Sequence, residues 1–260
     1  MDLMELYRSN GPGWTARYVL YQGSSHTAEF FARATRYLER RVKDFETAHK
    51  LHGENTPEAN RDTWTHWDWS KGGEEWTPRP AWKKAFCDEV IHGYLDGRNA
   101  IVEIGPGAGR WTETLQQIAE RLIIVDITER CIEMCKERFA GATNIDYHVN
   151  DGATLPFLEA GSVDAVFSHD VFVHIAPAET RAYLKEFARV LAPGGIGVVH
   201  HPDDPSVSAV GWRSSVTARM FAGFLKEAGL RLERQFDRWG PNGEHVIGDF
   251  PDQISVFTKP

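Results

Sequence analysis

Val102-Glu103-Ile104-Gly105-Pro106-Gly107-Ala108-Gly109-Arg110-Trp111 is the stretch that decides the fold. An apolar run closes on an acidic residue, and glycine then falls at every second position before a helical pattern starts. That order marks a tight turn at the carboxyl end of a β-strand, because glycine accepts positive φ and lets a ligand approach a backbone with no Cβ in the way. A dinucleotide turn of the form G-x-G-x-x-G needs its third glycine at position 110. Arg110 stands there, which disfavours a pyrophosphate ligand and with it a nicotinamide-dependent dehydrogenase.

The segments that follow keep a regular order. Leu122-Ile123-Ile124-Val125-Asp126 is a second apolar run ending in a carboxylate, about twenty residues past the glycines, where an acidic residue accepts hydrogen bonds from ribose hydroxyls. A helix is expected over 129–139 and a strand over 145–149, closing on Asn150-Asp151-Gly152. Residues 164–168 read as a fourth strand and 178–191 as a helix. A fifth strand over 195–201 is introduced by Pro193-Gly194-Gly195. Residues 231–236 and 253–258, joined through Pro241-Asn242-Gly243, read as a closing antiparallel pair. Alternating β and α with short turns argues for a parallel sheet covered by helices on both faces.

With Glu103-x-Gly105-x-Gly107-x-Gly109 and the acids at Asp126 and Asp151, residues 98–260 resemble the class I S-adenosylmethionine (SAM) dependent methyltransferases, in particular bacterial enzymes acting on small molecules or sugars. The resemblance implies an α/β, Rossmann-like seven-stranded sheet and SAM as cofactor. It places Glu103, Gly105, Pro106, Gly107 and Gly109 beside the methionine and ribose portions, Asp126 and Ile127 at the ribose, and Asp151 and Gly152 near the adenine. Trp76, in Gly73-Glu74-Glu75-Trp76-Thr77, joins the cofactor set on the same resemblance.

Composition bounds the partners. The chain has 260 residues and a formal net charge of −8, which argues against an electrostatic grip on nucleic acid, since that grip needs several Lys or Arg on one face. No apolar stretch approaches a membrane span and no signal-peptide pattern opens the chain, so the expected compartment is the cytoplasm. Cys87, Cys131 and Cys135 imply neither a disulfide framework nor a zinc site.

Residues 1–97 form the variable part: an irregular arm, a helical cap and a tryptophan-rich segment. Phe31, Ala34, Leu38, Val42 and Phe45 recur at helical steps within 25–50. Such a stripe packs on its own domain, closes over a site, or joins two copies into a homodimer. Trp64, Trp67, Trp69, Trp76 and Trp82 bring broad apolar faces with a hydrogen-bonding edge, suited to sealing the segment to a core or to stacking on a sugar or an adenosyl group.

Chemistry is expected where the fourth and fifth strands end. Ser168-His169-Asp170 leads to His174, and the fifth strand ends in His200-His201-Pro202-Asp203-Asp204. An alcohol becomes a good nucleophile only once its proton is taken, and imidazole suits that task near neutral pH. His169, His174 and His201 are therefore the candidate bases, with His200 on the opposite sheet face from His201 by strand alternation. Asp170, Asp203, Trp212 and Arg213 are candidates for holding a small polar acceptor, which points to O-methyl transfer to a sugar or related metabolite. The alternatives are an N-methyltransferase, which needs no base, and a SAM-binding protein without catalysis. The same cluster suits a divalent ion acting as Lewis acid. It lacks the carboxylate-rich oxygen set that magnesium prefers, so no residue is set aside as a metal ligand.

Overall fold

The computed structural model describes residues 55–203, 213–248 and 250–260, together with Pro12, Tyr37 and Arg41. The chain divides into two units, Met1–Leu51 and His52–Pro260, and the account below concerns the second. Apart from Tyr37 and Arg41, which are helical, the helix expected over 25–50 lies outside the described residues, as does Trp212.

Before the sheet, the described residues of this unit form α1 (Pro57–His66), α2 (Pro80–Phe86) and α3 (His92–Leu95), the last two joined by one π-helical stretch, Cys87–Ile91. Thr56 starts α1, its hydroxyl accepting from Ala59 N, and Pro57 occupies the first turn, where the missing N–H costs nothing. Then come β1 (Ala100–Ile104), α4 (Thr112–Ile118), β2 (Arg121–Asp126), α5 (Glu129–Arg138), β3 (Ile145–Val149), β4 (Val163–Ser168), α6 (Pro177–Val190) and β5 (Leu191–Pro202). The chain ends through α7 (Ala218–Glu227), β6 (Arg231–Phe236), β7 (Arg238–Trp239), β8 (His245–Val246) and β9 (Asp252–Thr258).

Seven strands form one sheet in the order β3-β2-β1-β4-β5-β9-β6. The first five are parallel, and β9 inserts antiparallel between β5 and β6. Around the expected Pro241-Asn242-Gly243 turn the chain adds a small ribbon, β7 with β8, that the sequence reading did not contain. Both faces of the sheet are covered. Ile101, Ile124, Phe167 and Val198 pack with Phe86, Trp111 and Leu115 on one side. Val102, Ile123, Val166 and Val199 pack with Phe172, Leu184 and Phe187 on the other. In α6 the buried residues Tyr183, Leu184, Phe187 and Val190 recur every three or four positions, and burying each such side chain contributes about 1.5–3 kcal/mol. Among the described residues no helix is long and apolar enough to cross a membrane.

Strand order reverses between β1 and β4. After β1 the chain builds outward to β2 and β3, and from β4 it builds the other way. Loops leaving the carboxyl ends of these neighbours diverge and open a crevice, which is where open α/β sheets take ligands.

Candidate functional site

A cavity of about 930 Å³ occupies that crevice. One wall is the turn after β1. Gly105 and Gly107 have φ of 69° and 56°, and a Cβ on Gly107 would come within 2.8 Å of the Trp69 ring. Only glycine suits such a cradle. Gly105, Pro106, Gly107, Asp126, Ile127 and Gly152 all face the cavity. Asp126 Oδ1 accepts from Thr128 N at 2.8 Å and from the Thr128 hydroxyl at 2.9 Å, which fixes the carboxylate at the end of β2. Burial pushes its carboxyl up to about 6 against those bonds. A cradle that a Cβ would fill, with a buried acid one strand away, fits the ribose and methionine portions of SAM.

The roof comes from the segment before β1. Asn60 Nδ2 donates to His174 O at 2.8 Å, Asn55 Nδ2 to Arg213 O at 2.9 Å and Arg61 Nε to Ile127 O at 3.3 Å, so α1 is tied across three loops of the crevice. Trp64, Trp67, Trp69 and Trp76 line the cavity beneath it, Trp67 stacking on Trp76 at 5.6 Å and Trp64 meeting the His174 ring edge-on at 4.8 Å. Trp67 Nε1 donates to Glu75 Oε1 at 3.0 Å. Trp82 does not join them; it is core, donating to Val246 O and stacked on Phe86.

The floor, at the ends of β4, β5 and β9, is charged. Arg110 is bonded to Asp170, and its Nη2 lies 3.3 Å from His169 Nδ1. Asp170 N donates to His200 Nδ1 at 3.0 Å, Nδ1 also lies 3.0 Å from Asp170 Oδ1, and His200 Nε2 lies 3.2 Å from Asp252 Oδ2. Asp252 is bonded in turn to Arg213. Two carboxylates about one ring favour a proton on His200. Burial works against that charge, and the bonds to Asp170 and Asp252 overcome it and carry His200 up to about 9. His169 goes the other way, pressed by burial to about 4. Burial also works to raise the Asp170 carboxyl, but His169 and Arg110 beside it, with bonds from both histidines, hold it well below the usual range. Asp170 keeps a φ of 60°, strained for a residue with a Cβ, and the strain aims its carboxylate between the two cations.

His169, Asp170, His174 and Arg213 line the cavity as expected sites, with Trp76. Others do not. His201 is corrected: it is fully buried on the opposite face, stacked on Phe221 at 4.0 Å and bonded through Nε2 to Ser255 at 2.7 Å, and burial presses it to about 3. Its neighbour His200 takes the place on the cavity floor. Asp203 caps α7 by accepting from Ala218 N at 2.8 Å. Asp151 closes its own turn, accepting from Ala153 N, Thr154 N and the Thr154 hydroxyl, so Gly152 rather than Asp151 forms that part of the wall. Glu103 lies behind the cavity wall with its Oε2 accepting from the Thr112 hydroxyl at 2.6 Å, and Gly109 lies behind it too. Burial pushes the Glu103 carboxyl up to about 8.

Arg110, His200 and Asp252 were missed as site residues. Arg110 carried a signal in the sequence, a cation directly after a ligand-cradling turn. Asp252 carried none, because it reaches the floor only through the pairing of β9 with β5, where it faces Pro202.

His169, Asp170 and His200 each offer a ligand atom within 4.8 Å of one another. The guanidinium of Arg110, bonded to Asp170 and 3.3 Å from His169, already holds a fixed positive charge there, so the donor set does not fit a resident divalent ion.

A sheet of this order with a glycine cradle and a buried acid at its switch point has the class I SAM-dependent methyltransferase fold. Residues 101–195 match the family model described as a methyltransferase domain. Over 96 residues it is 33% identical to phosphoethanolamine N-methyltransferase 1 of Caenorhabditis elegans, covering 37% of this chain and 20% of that one. Over 118 residues it is 30% identical to the demethylmenaquinone methyltransferase of Tropheryma whipplei, covering 45% and 46%. The chain spans less than half the length of the curated relatives it matches. Among solved structures, a SAM-dependent methyltransferase from Aquifex aeolicus superposes with a TM-score of 0.55 at 18% identity, covering 75% of this chain and 100% of that one. The N-methyltransferase NodS of Bradyrhizobium japonicum gives 0.56 at 20% identity over 70% and 98%. At these identities the superpositions speak to fold.

Proposed function

We propose that this protein transfers a methyl group from SAM to a hydroxyl oxygen of a small polar acceptor, with a sugar or related polyhydroxylated metabolite as the expected class. The observation that carries this reading is the cavity floor, where Arg110 and His200 are buried about the Asp170 carboxylate. A fixed positive charge in a dry site favours an oxygen that gains negative charge as it loses its proton, and disfavours an ammonium. SAM supplies an electrophilic methyl on a sulfonium: the C–S bond breaks with its electron pair left on sulfur as the O–C bond forms.

The chain's part is alignment, exclusion of water and disposal of one proton. His174, on the cavity wall against Trp64, is the proposed acceptor of the hydroxyl proton. His169, neutral and weakly basic, is reassigned from base to a positioning residue for Asp170. Glu103, Asp126, the glycine turn and Trp76 remain the proposed cofactor contacts, Glu103 acting through Thr112 behind the turn. The indole faces suit stacking on a sugar ring.

A second reading, N-methyl transfer, draws on Glu75, whose Oε2 is buried beside the four indoles without a hydrogen-bond partner among the described residues. Indoles with a carboxylate suit a cationic amine. Transfer of labelled methyl from SAM to a panel of glycosides, small alcohols, amines and carboxylates separates the two. Label on oxygen, abolished in His174→Ala, supports the first reading. Label confined to amines, retained in His174→Ala, overturns it.

A further inference from the structure

Resting on that reading, we propose that the acceptor is an amino alcohol, amino sugars among them, whose ammonium group is held at the roof by Trp64, Trp67 and Glu75 while its hydroxyl reacts. Trp64 and Trp67 both line the cavity, with ring centroids 5.5 Å apart and planes tilted by 57°, so the two indoles form a corner rather than a stack. Trp67 is 37% exposed, a large fraction for an indole. Among the described residues no Lys or Arg lies over either ring, whereas Trp76, stacked on Trp67, has Arg110 at 5.9 Å. Indole faces carry the negative side of the ring quadrupole and attract a cation.

Glu75 strengthens that attraction. Its Oε1 accepts from Trp67 Nε1 at 3.0 Å, which sets a carboxylate at the edge of the ring and pushes electron density onto the ring face. Its neighbour Glu74 is paired with Lys83, but among the described residues Glu75 has no ion-pair partner. Glu75 Oε2 is covered, so a ligand cation meets the indole faces and feels the carboxylate across the ring edge rather than by direct contact. A carboxylate with one oxygen shut off from water and no counter-ion is costly to hold, and a bound ammonium supplies the missing charge. The basic groups of the floor do not serve it: Arg110 and His200 meet Asp170, and Arg213 meets Asp252.

Trp64 also meets the His174 ring edge-on at 4.8 Å, so the corner adjoins the proposed proton acceptor. A nitrogen held as ammonium has no lone pair to offer the sulfonium methyl. The corner therefore holds the amine out of the reaction, and the hydroxyl of the same molecule is left as the nucleophile.

The sulfonium of SAM is a second source of positive charge, and the test separates the two. Protein loaded with S-adenosylhomocysteine, which has no sulfonium, is titrated by calorimetry with choline and with 3,3-dimethylbutan-1-ol, nearly equal in shape and different in charge. Choline is expected to bind at least tenfold more tightly. Glu75→Gln, whose amide oxygen still accepts from Trp67, and Trp67→Leu should each reduce that preference to threefold or less. S-adenosylhomocysteine and sinefungin, which carries an amine in place of the sulfonium methyl, should each bind Glu75→Gln within threefold of wild type. Equal or absent binding of choline and the alcohol overturns the proposal, and so does a preference for choline that survives in both variants. A tenfold loss of sinefungin alone in Glu75→Gln overturns it too, since the cation at the corner is then the cofactor's. Label passing from SAM to the nitrogen of glucosamine rather than to an oxygen strikes the hydroxyl reading, and with it the role of the amine as a handle. Failure of the unmodified protein to bind S-adenosylhomocysteine at all strikes the methyltransferase reading itself.

Discussion

Glu103→Gln is expected to make the free protein more stable, by an amount that grows with pH. Glu103 is 1% exposed, its Oε2 accepts one bond from Thr112, and burial raises its carboxyl from the ordinary 4.5 to about 8. Between those two values the folded chain holds a proton that the unfolded chain has lost. Stability therefore falls as pH rises, by about 1.4 kcal/mol per pH unit, and levels off above pH 8, where both states are ionised. At pH 7 the accumulated cost is on the order of 3 kcal/mol, and above pH 8 about 5. Glutamine keeps the acceptor for Thr112 and has no proton to lose, so the variant should be free of this slope. Urea unfolding of both proteins without ligand, at half-unit steps from pH 5 to 9, reads the difference directly. A stability difference that stays flat with pH, or a variant less stable than wild type at pH 9, refutes the account of Glu103 as a carboxyl held neutral by burial.

Gly107→Ala should weaken binding of S-adenosylhomocysteine by tenfold or more and cost about 1–2 kcal/mol in unfolding, because the new Cβ lies 2.8 Å from Trp69 at a φ of 56°; unchanged calorimetric affinity counts against the cradle. His201→Ala should cost about 2–3 kcal/mol through the lost stack on Phe221 and bond to Ser255. Its kcat/KM should stay within threefold at a temperature where it remains folded, whereas a specific loss of kcat would return His201 to the site. Methyl transfer should fall by about tenfold per pH unit above about 9, as His200 loses the proton that its two carboxylates hold there. A rate that keeps rising to pH 10 is incompatible with a required imidazolium. Chelator should leave the rate unchanged, since Arg110 holds the charge at Asp170 where an ion would sit; loss on chelation with recovery on adding a divalent metal reverses that view.

What was legible in the sequence follows from what is local. The turn at 105–109 shows its positive φ through the glycines themselves, and β1, β2 and β4 announce themselves by short apolar runs closing on a turn or a carboxylate. The five parallel strands and the closing antiparallel pair could be read at nearly their observed positions. The two-residue strands of the β7 and β8 ribbon are too short for any periodicity to register, and they became visible only through their pairing.

The face on which each histidine of β5 falls was not legible, and the reason is physical. A strand in a sheet covered on both sides carries apolar residues at odd and even positions alike. Ile196, Val198 and Val199 therefore give no polar face from which to count, and alternation says that His200 and His201 diverge without saying which one meets the cavity. Tertiary packing decides it. Phe221 of α7 and Ser255 of β9 receive His201, which leaves His200 to close against Asp170 and Asp252. The charge logic of the site rests on that choice. With His200 there, the ring lies between Asp170, in the loop after β4, and Asp252, at the start of β9, beside the buried guanidinium of Arg110. A ring so placed could not be assigned from its own strand, because both carboxylates that meet it come from other parts of the sequence.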